Sequence, residues 1–216
     1  MMSMKSLDPL RNVVRGWLSS LAKVLDKISG GHIRPNHITH LSVLGHILVV
    51  WAIIDERFVV AAVLLVVFGL MDSLDGALAR YQKRVSDFGG MLDATADRVK
   101  EIILYSGIGY YLAEQKGAEA VPIIIIALGG SLMVSYVKAK GESTIMSHSP
   151  NMTYVEVNRI FQGGFLSYDI RMAILIVGLL TNQLFFAIIA IAILSWLTVN
   201  QRLYIISKRL FRHGKN

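Results

Sequence analysis

Two apolar runs, residues 41–54 and 58–70, are separated only by Asp55, Glu56 and Arg57. A helix needs about 20 mostly apolar residues to cross the hydrocarbon core of a bilayer. A break this short therefore forces the two runs into a tight helical hairpin. The same logic applies near the C-terminus, where Thr181, Asn182 and Gln183 join two further runs. Reading the whole chain this way predicts six spans, near residues 37–55, 58–80, 88–113, 120–140, 168–181 with flanks, and 184–206. At 54% hydrophobic and 17% charged over 216 residues, the chain is too apolar for an ordinary soluble domain. The expected fold class is all-α integral membrane: six transmembrane helices, preceded by an N-terminal interfacial amphipathic helix, in a single domain over residues 1–216.

The N-terminal stretch differs in kind. Between residues 7 and 28, Leu10, Val13, Val14, Trp17, Leu18, Leu21, Val24, Leu25 and Ile28 recur at helical spacing among charged residues. That pattern suits a helix lying in the membrane interface. It does not suit a cleaved signal peptide, whose apolar run would here be broken by Arg11, Arg15 and Lys23. Residues 1–34 are thus read as interfacial helix and linker, and residues 35–216 as the transmembrane core.

With both termini on one side, only Arg57 and Lys116 of the 22 Lys and Arg residues fall on the far side or its edge. Positive charge concentrates on cytoplasmic loops. The chain is therefore expected in the cell membrane as a multi-pass protein, with both termini and the 81–88 and 141–167 connections cytoplasmic. The formal charge of +7 is explained by this topology, and nucleic acid is not an expected partner. No cysteine is present, so any metal must sit on oxygen or imidazole ligands.

Charged groups inside membrane helices are costly, which makes their positions informative. Asp72 and Asp75 are three residues apart and share a face of the second span; Asp93 and Asp97 are four apart and share a face of the third. The short connection over residues 81–88 would bring the two faces together. Four converging carboxylates repel one another unless cations lie between them. Hard oxygen ligands suit magnesium, with manganese possible, and two such ions ~3.5–4 Å apart are an established arrangement for in-line phosphoryl chemistry.

The segment reads Asp72-x2-Asp75-Gly76-x2-Ala79-Arg80-x8-Gly89-x3-Asp93-x3-Asp97 and resembles the signature of the CDP-alcohol phosphatidyltransferases at all eight named positions. The resemblance implies transfer of a phosphatidyl-type group from a CDP-linked lipid to an alcohol with release of CMP. It also implies roles. Asp72 and Asp93 would bridge two metal ions, Asp75 would complete the first, and Asp97 would serve the second and act as the catalytic base. Pro35, Asn36, His37, Ile38, Gly76, Ala79, Arg80 and Ser86 match positions that hold the CDP-alcohol, and members of the family form homodimers. The chemistry agrees, because an alcohol attacking phosphorus needs a carboxylate placed to take its proton.

On the fourth span and beyond, Ser135, Lys138, Arg159 and Arg202 are similar to residues with which phosphatidylinositol-phosphate synthases hold the phosphate of inositol 1-phosphate. That acceptor is the expected one, alongside membrane lipids as surroundings. Lys140 stands where such synthases commonly have arginine, and residues 163–169 depart from their arginine-rich segment, so glycerol 3-phosphate, inositol and serine stay open as acceptors. A cation transporter is the alternative from another class. It predicts acids spread through the membrane depth, whereas these four cluster near one face.

Overall fold

The computed structural model describes residues 8–148, 152–161 and 166–213, and every regular element among them is helical. The chain divides into two compact units at the Leu104/Tyr105 boundary. The first holds α1 (Asp8–Ser29), α2 (Pro35–Ile54), α3 (Phe58–Tyr81) and the start of α4 (Asp87–Lys116). The second holds the rest of α4, a single 3-10 turn (Ala118–Ala120), α5 (Val121–His148), α6 (Tyr154–Phe161), α7 (Tyr168–Leu180) and α8 (Leu184–His213).

Both short breaks become the same turn. After α2, the Arg57 amide donates to the Ala52 carbonyl at 2.8 Å and the Glu56 amide to that of Ile53 at 3.1 Å. After α7, Gln183 donates to Gly178 at 2.7 Å and Asn182 to Leu179 at 3.2 Å. This pairing satisfies the last carbonyls of a helix by placing one residue in the left-handed region, here Glu56 at φ 58° and Asn182 at φ 55°.

In the first unit α2 packs along α3, and α1 packs on α3. Leu18 and Ala22 of α1 meet Ile38 of α2 and Ala77 and Leu78 of α3 in one buried cluster. Gln82, just past α3, ties these parts together: its amide donates to Asp26 at 2.6 Å and to the Ile33 carbonyl at 2.9 Å. Gly45 sets the α2–α3 separation, because a Cβ there would lie 2.2 Å from the Phe68 ring. Gly45→Ala is therefore expected to lower stability by about 1–3 kcal/mol, the usual range for overpacking. Thermal unfolding in detergent reads this, and an unchanged Tm would show that the ring has room to move.

The polarity of α2 is inverted relative to a soluble helix. It buries Thr39, Ser42 and His46 while Leu44 is 60% and Trp51 53% exposed. Val59, Val63 and Val67 of α3 and Phe186, Ile193 and Leu197 of α8 are exposed as well. Apolar surface of this extent, on helices long enough to span a bilayer, suits contact with lipid or with a partner.

In the second unit α8 packs against α5 and α7, and α6 against α5. Val134, Val137 and Val199 form one buried cluster, and Ile145, Val157 and Phe161 another.

Two expectations are met in part. Among the described residues, four helices are long and apolar enough to cross a membrane: Pro35–Ile54, Phe58–Tyr81, Ala118–His148 and Leu184–Leu210. Of the other two predicted spans, α4 has the length, at 30 residues, but carries the acidic segment. Helix α7 has only 13 residues, about 20 Å of helix. The long 141–167 connection is also partly helical. Helix α5 continues to His148, and α6 starts from a reciprocal cap in which the Thr153 amide donates to Glu156 at 2.8 Å and the Glu156 amide to the Thr153 hydroxyl at 3.4 Å.

Candidate functional site

Helices α3 and α4 bring Asp72, Asp75 and Asp93 together, with one carboxylate oxygen from each lying within 4.8 Å of the others. Asp72, Asp75 and Asp93 are thus the residues that would hold a divalent ion between α3 and α4. An all-oxygen set of three carboxylates fits a hard divalent cation. It does not suit a soft one.

Helix α2 orients two of these acids from behind. The Thr39 hydroxyl donates to Asp75 Oδ2 at 2.6 Å, and the Ser42 hydroxyl donates to Asp72 Oδ1 at 3.0 Å while also lying 2.9 Å from the Phe68 carbonyl. Hydrogen bonds of this kind fix a ligand's rotamer before the ion arrives. Neither hydroxyl stands out in the sequence reading. The available signal is their three-residue spacing, which puts two small polar groups on one face of an apolar run.

Asp97 stands apart from the trio. Its Oδ1 is 2.8 Å from Lys100 Nζ and its Oδ2 is 3.5 Å from Arg98. The same Lys100 ammonium is paired with Asp72 Oδ2. Lys100 is buried, and it too was missed by the motif, which ends at Asp97. Its position seven residues after Asp93 and three after Asp97 places it on the acid-bearing face of α4.

The residues expected to hold the CDP-alcohol occupy varied positions. Arg80 lies over Gly76, with a guanidinium nitrogen 3.4 Å from where a Gly76 Cβ would be. Ala79 is half-buried beside it. Pro35 opens α2, where a missing amide hydrogen costs nothing. Asn36 is half-buried, and exposed His37 accepts the Arg34 amide at 3.4 Å. Ile38 is turned into the α1–α3 cluster. The Ser86 hydroxyl accepts the Gly89 amide at 3.1 Å and so caps the start of α4.

Among the acceptor candidates, Ser135 and Lys138 lie half-buried on α5, and Lys138 Nζ is 3.7 Å from Glu142. Arg202 of α8 is 7% exposed and donates to the Val134 carbonyl at 2.5 Å. Arg159 is on α6, but its side chain lies outside the described residues, as do residues 163–165 of the divergent segment. Of three tyrosines on α4 that could serve a homodimer contact, Tyr105 is fully buried within the chain, while Tyr110 is exposed and Tyr111 half-buried.

Comparison with known proteins gives the family and the fold. The family model for CDP-alcohol phosphatidyltransferase matches residues 32–200. An archaetidylinositol phosphate synthase of Pyrococcus horikoshii is 30% identical over 204 residues, covering 94% of this chain and 98% of that one. A phosphatidylinositol phosphate synthase of Corynebacterium glutamicum is 29% identical over 200 residues, covering 91% and 83%. The crystal structure of Mycobacterium tuberculosis phosphatidylinositol phosphate synthase with CDP-DAG bound shares the fold, with a TM-score of 0.73 at 24% identity over 88% of this chain and 92% of that one.

Proposed function

Since the chain belongs to the CDP-alcohol phosphatidyltransferase family, we propose that it transfers the phosphatidyl-type group of a CDP-linked lipid to inositol 1-phosphate, releasing CMP and forming an inositol-phosphate lipid. The observation that carries this reading is the convergence of Asp72, Asp75 and Asp93 to within 4.8 Å on two adjacent helices. A divalent ion held there, magnesium or manganese, supplies neutralisation of the pyrophosphate and of the charge that builds on departing CMP. The chain's own groups do the rest. Thr39 and Ser42 hold the acids in place, and Arg80, lying over Gly76, offers a guanidinium to the donor's phosphates. Asp97 takes the proton of the attacking hydroxyl. Lys100 holds its Oδ1, which leaves Oδ2, with only the longer contact to Arg98, as the receiving atom.

Inositol 1-phosphate is the favoured acceptor because phosphatidylinositol phosphate and archaetidylinositol phosphate synthases are among the similar proteins, and because Lys138 and Arg202 are cations on the packed pair α5 and α8. A second anion approaches a pyrophosphate only where dedicated positive charge offsets the repulsion. We assign Ser135, Lys138, Arg159 and Arg202 to that phosphate. Losing one charged contact costs at least about 1.4 kcal/mol. Lys138→Ala should accordingly raise the acceptor's apparent KM at least ~10-fold and leave the KM for the CDP-lipid nearly unchanged. Unchanged acceptor kinetics would reduce these residues to topological anchors.

In this reading the whole chain is one membrane domain with six spans, α4 and α7 included, and α1 lies in the interface. The termini and active centre face the cytoplasm, and the protein works as a homodimer in the cell membrane. The test is an acceptor panel: purified protein with CDP-diacylglycerol or its ether analogue, and inositol 1-phosphate, glycerol 3-phosphate, inositol and serine in parallel. The fastest CMP release with inositol 1-phosphate is expected. A preference for another alcohol would reassign the acceptor within the same family reaction.

A further inference from the structure

The family resemblance implies two metal ions bridged by Asp72 and Asp93, with Asp97 serving the second, so that Asp72 and Asp97 would share that second ion. In this structure those two carboxylates are already bridged. The Lys100 ammonium pairs with Asp72 Oδ2 and lies 2.8 Å from Asp97 Oδ1. It is 1% exposed, so it is no surface lysine in passing contact. The three-acid cluster able to hold an ion consists of Asp72, Asp75 and Asp93 and does not include Asp97. We propose that this chain binds a single divalent ion on Asp72, Asp75 and Asp93, with the Lys100 ammonium standing in for the second cation between Asp72 and Asp97. This rests on the metal-dependent reading above and specifies its stoichiometry.

Charge and space both support it. Four carboxylates carry four negative charges. One divalent ion and one ammonium leave a single charge over, and Arg98 lies 3.5 Å from Asp97 to meet it. A second divalent ion beside the ammonium would reverse the sign of the cluster. It would also compete with Lys100 for the same oxygens, and repulsion between cations a few ångströms apart is large away from bulk water. Displacing the ammonium instead would strand a buried charge, a costly outcome for a lysine whose ion pairs among the described residues are to these two acids. The resulting centre divides the work. The ion faces the pyrophosphate, while Lys100 fixes Asp97 through Oδ1 and compensates its charge. Lys100 acts through the two acids and is a positioning residue.

Full-length protein in lipid nanodiscs, titrated with Mn2+ alone and read by elemental analysis and electron paramagnetic resonance, tests this without reference to turnover. An Asp72→Asn/Asp93→Asn variant supplies the background count. Wild type should hold one ion per chain with an uncoupled spectrum, and so should Lys100→Arg. Lys100→Met should hold two, with the exchange-coupled spectrum of a close pair. Two coupled ions in wild type would overturn the proposal and leave the family reaction standing. One ion in both wild type and a folded Lys100→Met would overturn it too, because the ammonium would then not be what excludes the second. No ion above background in wild type would overturn both this proposal and the metal reading on which it rests. The wild-type count and Lys100→Arg decide the matter even if Lys100→Met does not fold.

Discussion

Asp93→Asn should lower kcat/KM by ~10³-fold and weaken divalent-ion binding in the same preparation. Asp93 is the α4 member of the three-carboxylate cluster, and the amide that replaces it brings neither the charge nor an equivalent second oxygen. Electrostatic stabilisation by a bound ion is worth several kcal/mol, and about 4 kcal/mol corresponds to ~10³-fold in rate. The effect is local to that face of the helix. Asp87, exposed in the first turn of the same helix, carries the same charge, yet Asp87→Asn should leave both ion binding and turnover near wild type. Equal losses in the two variants would mean that general charge on α4, and not ligation, matters.

Asp97→Asn should cut turnover by ~10²-fold or more while the CDP-lipid and the ion still bind. A positioned general base typically contributes between about 10² and 10⁴. Asparagine keeps the shape of the side chain and can still face Lys100 and Arg98, but it cannot take a proton from the acceptor's hydroxyl. Because the ion rests on Asp72, Asp75 and Asp93, its count per chain should not change in this variant. Steady-state kinetics with a parallel ion count separates the two roles. Near-normal turnover would remove Asp97 as the base, and loss of the ion would make it a ligand instead.

The contrast between these acids and their supports explains what was legible beforehand. Carboxylates inside an apolar helix are so unfavourable that their spacing alone marks a site, and Asp72, Asp75 and Asp93 converge as that spacing implies. Thr39 and Ser42 were not legible, since small hydroxyls can satisfy themselves on a helix's own carbonyls and pass as filler in a span. Lys100 was hidden differently. It sits inside the span expected near residues 88–113, and only its register relative to Asp93 and Asp97 ties it to the acids. On the scale of the fold, the hairpin at residues 55–57 was readable because a three-residue break between apolar runs permits little else. The extension of α5 to His148 was not, because polarity ends a membrane span without ending a helix. Residues 153–156 did carry a helix-start signal, Thr-x-x-Glu, within a stretch read as connection.

The transfer reaction itself can be measured directly. Purified protein is given CDP-diacylglycerol and inositol 1-phosphate with magnesium, and CMP and lipid product are quantified together by mass spectrometry. CMP and a lipid carrying inositol and two phosphates are expected in equimolar amounts, both abolished by chelation and restored by magnesium or manganese. Consumption of the CDP-lipid to CMP and phosphatidic acid with no new inositol lipid, or equal product formation after chelation, would contradict the proposed transfer.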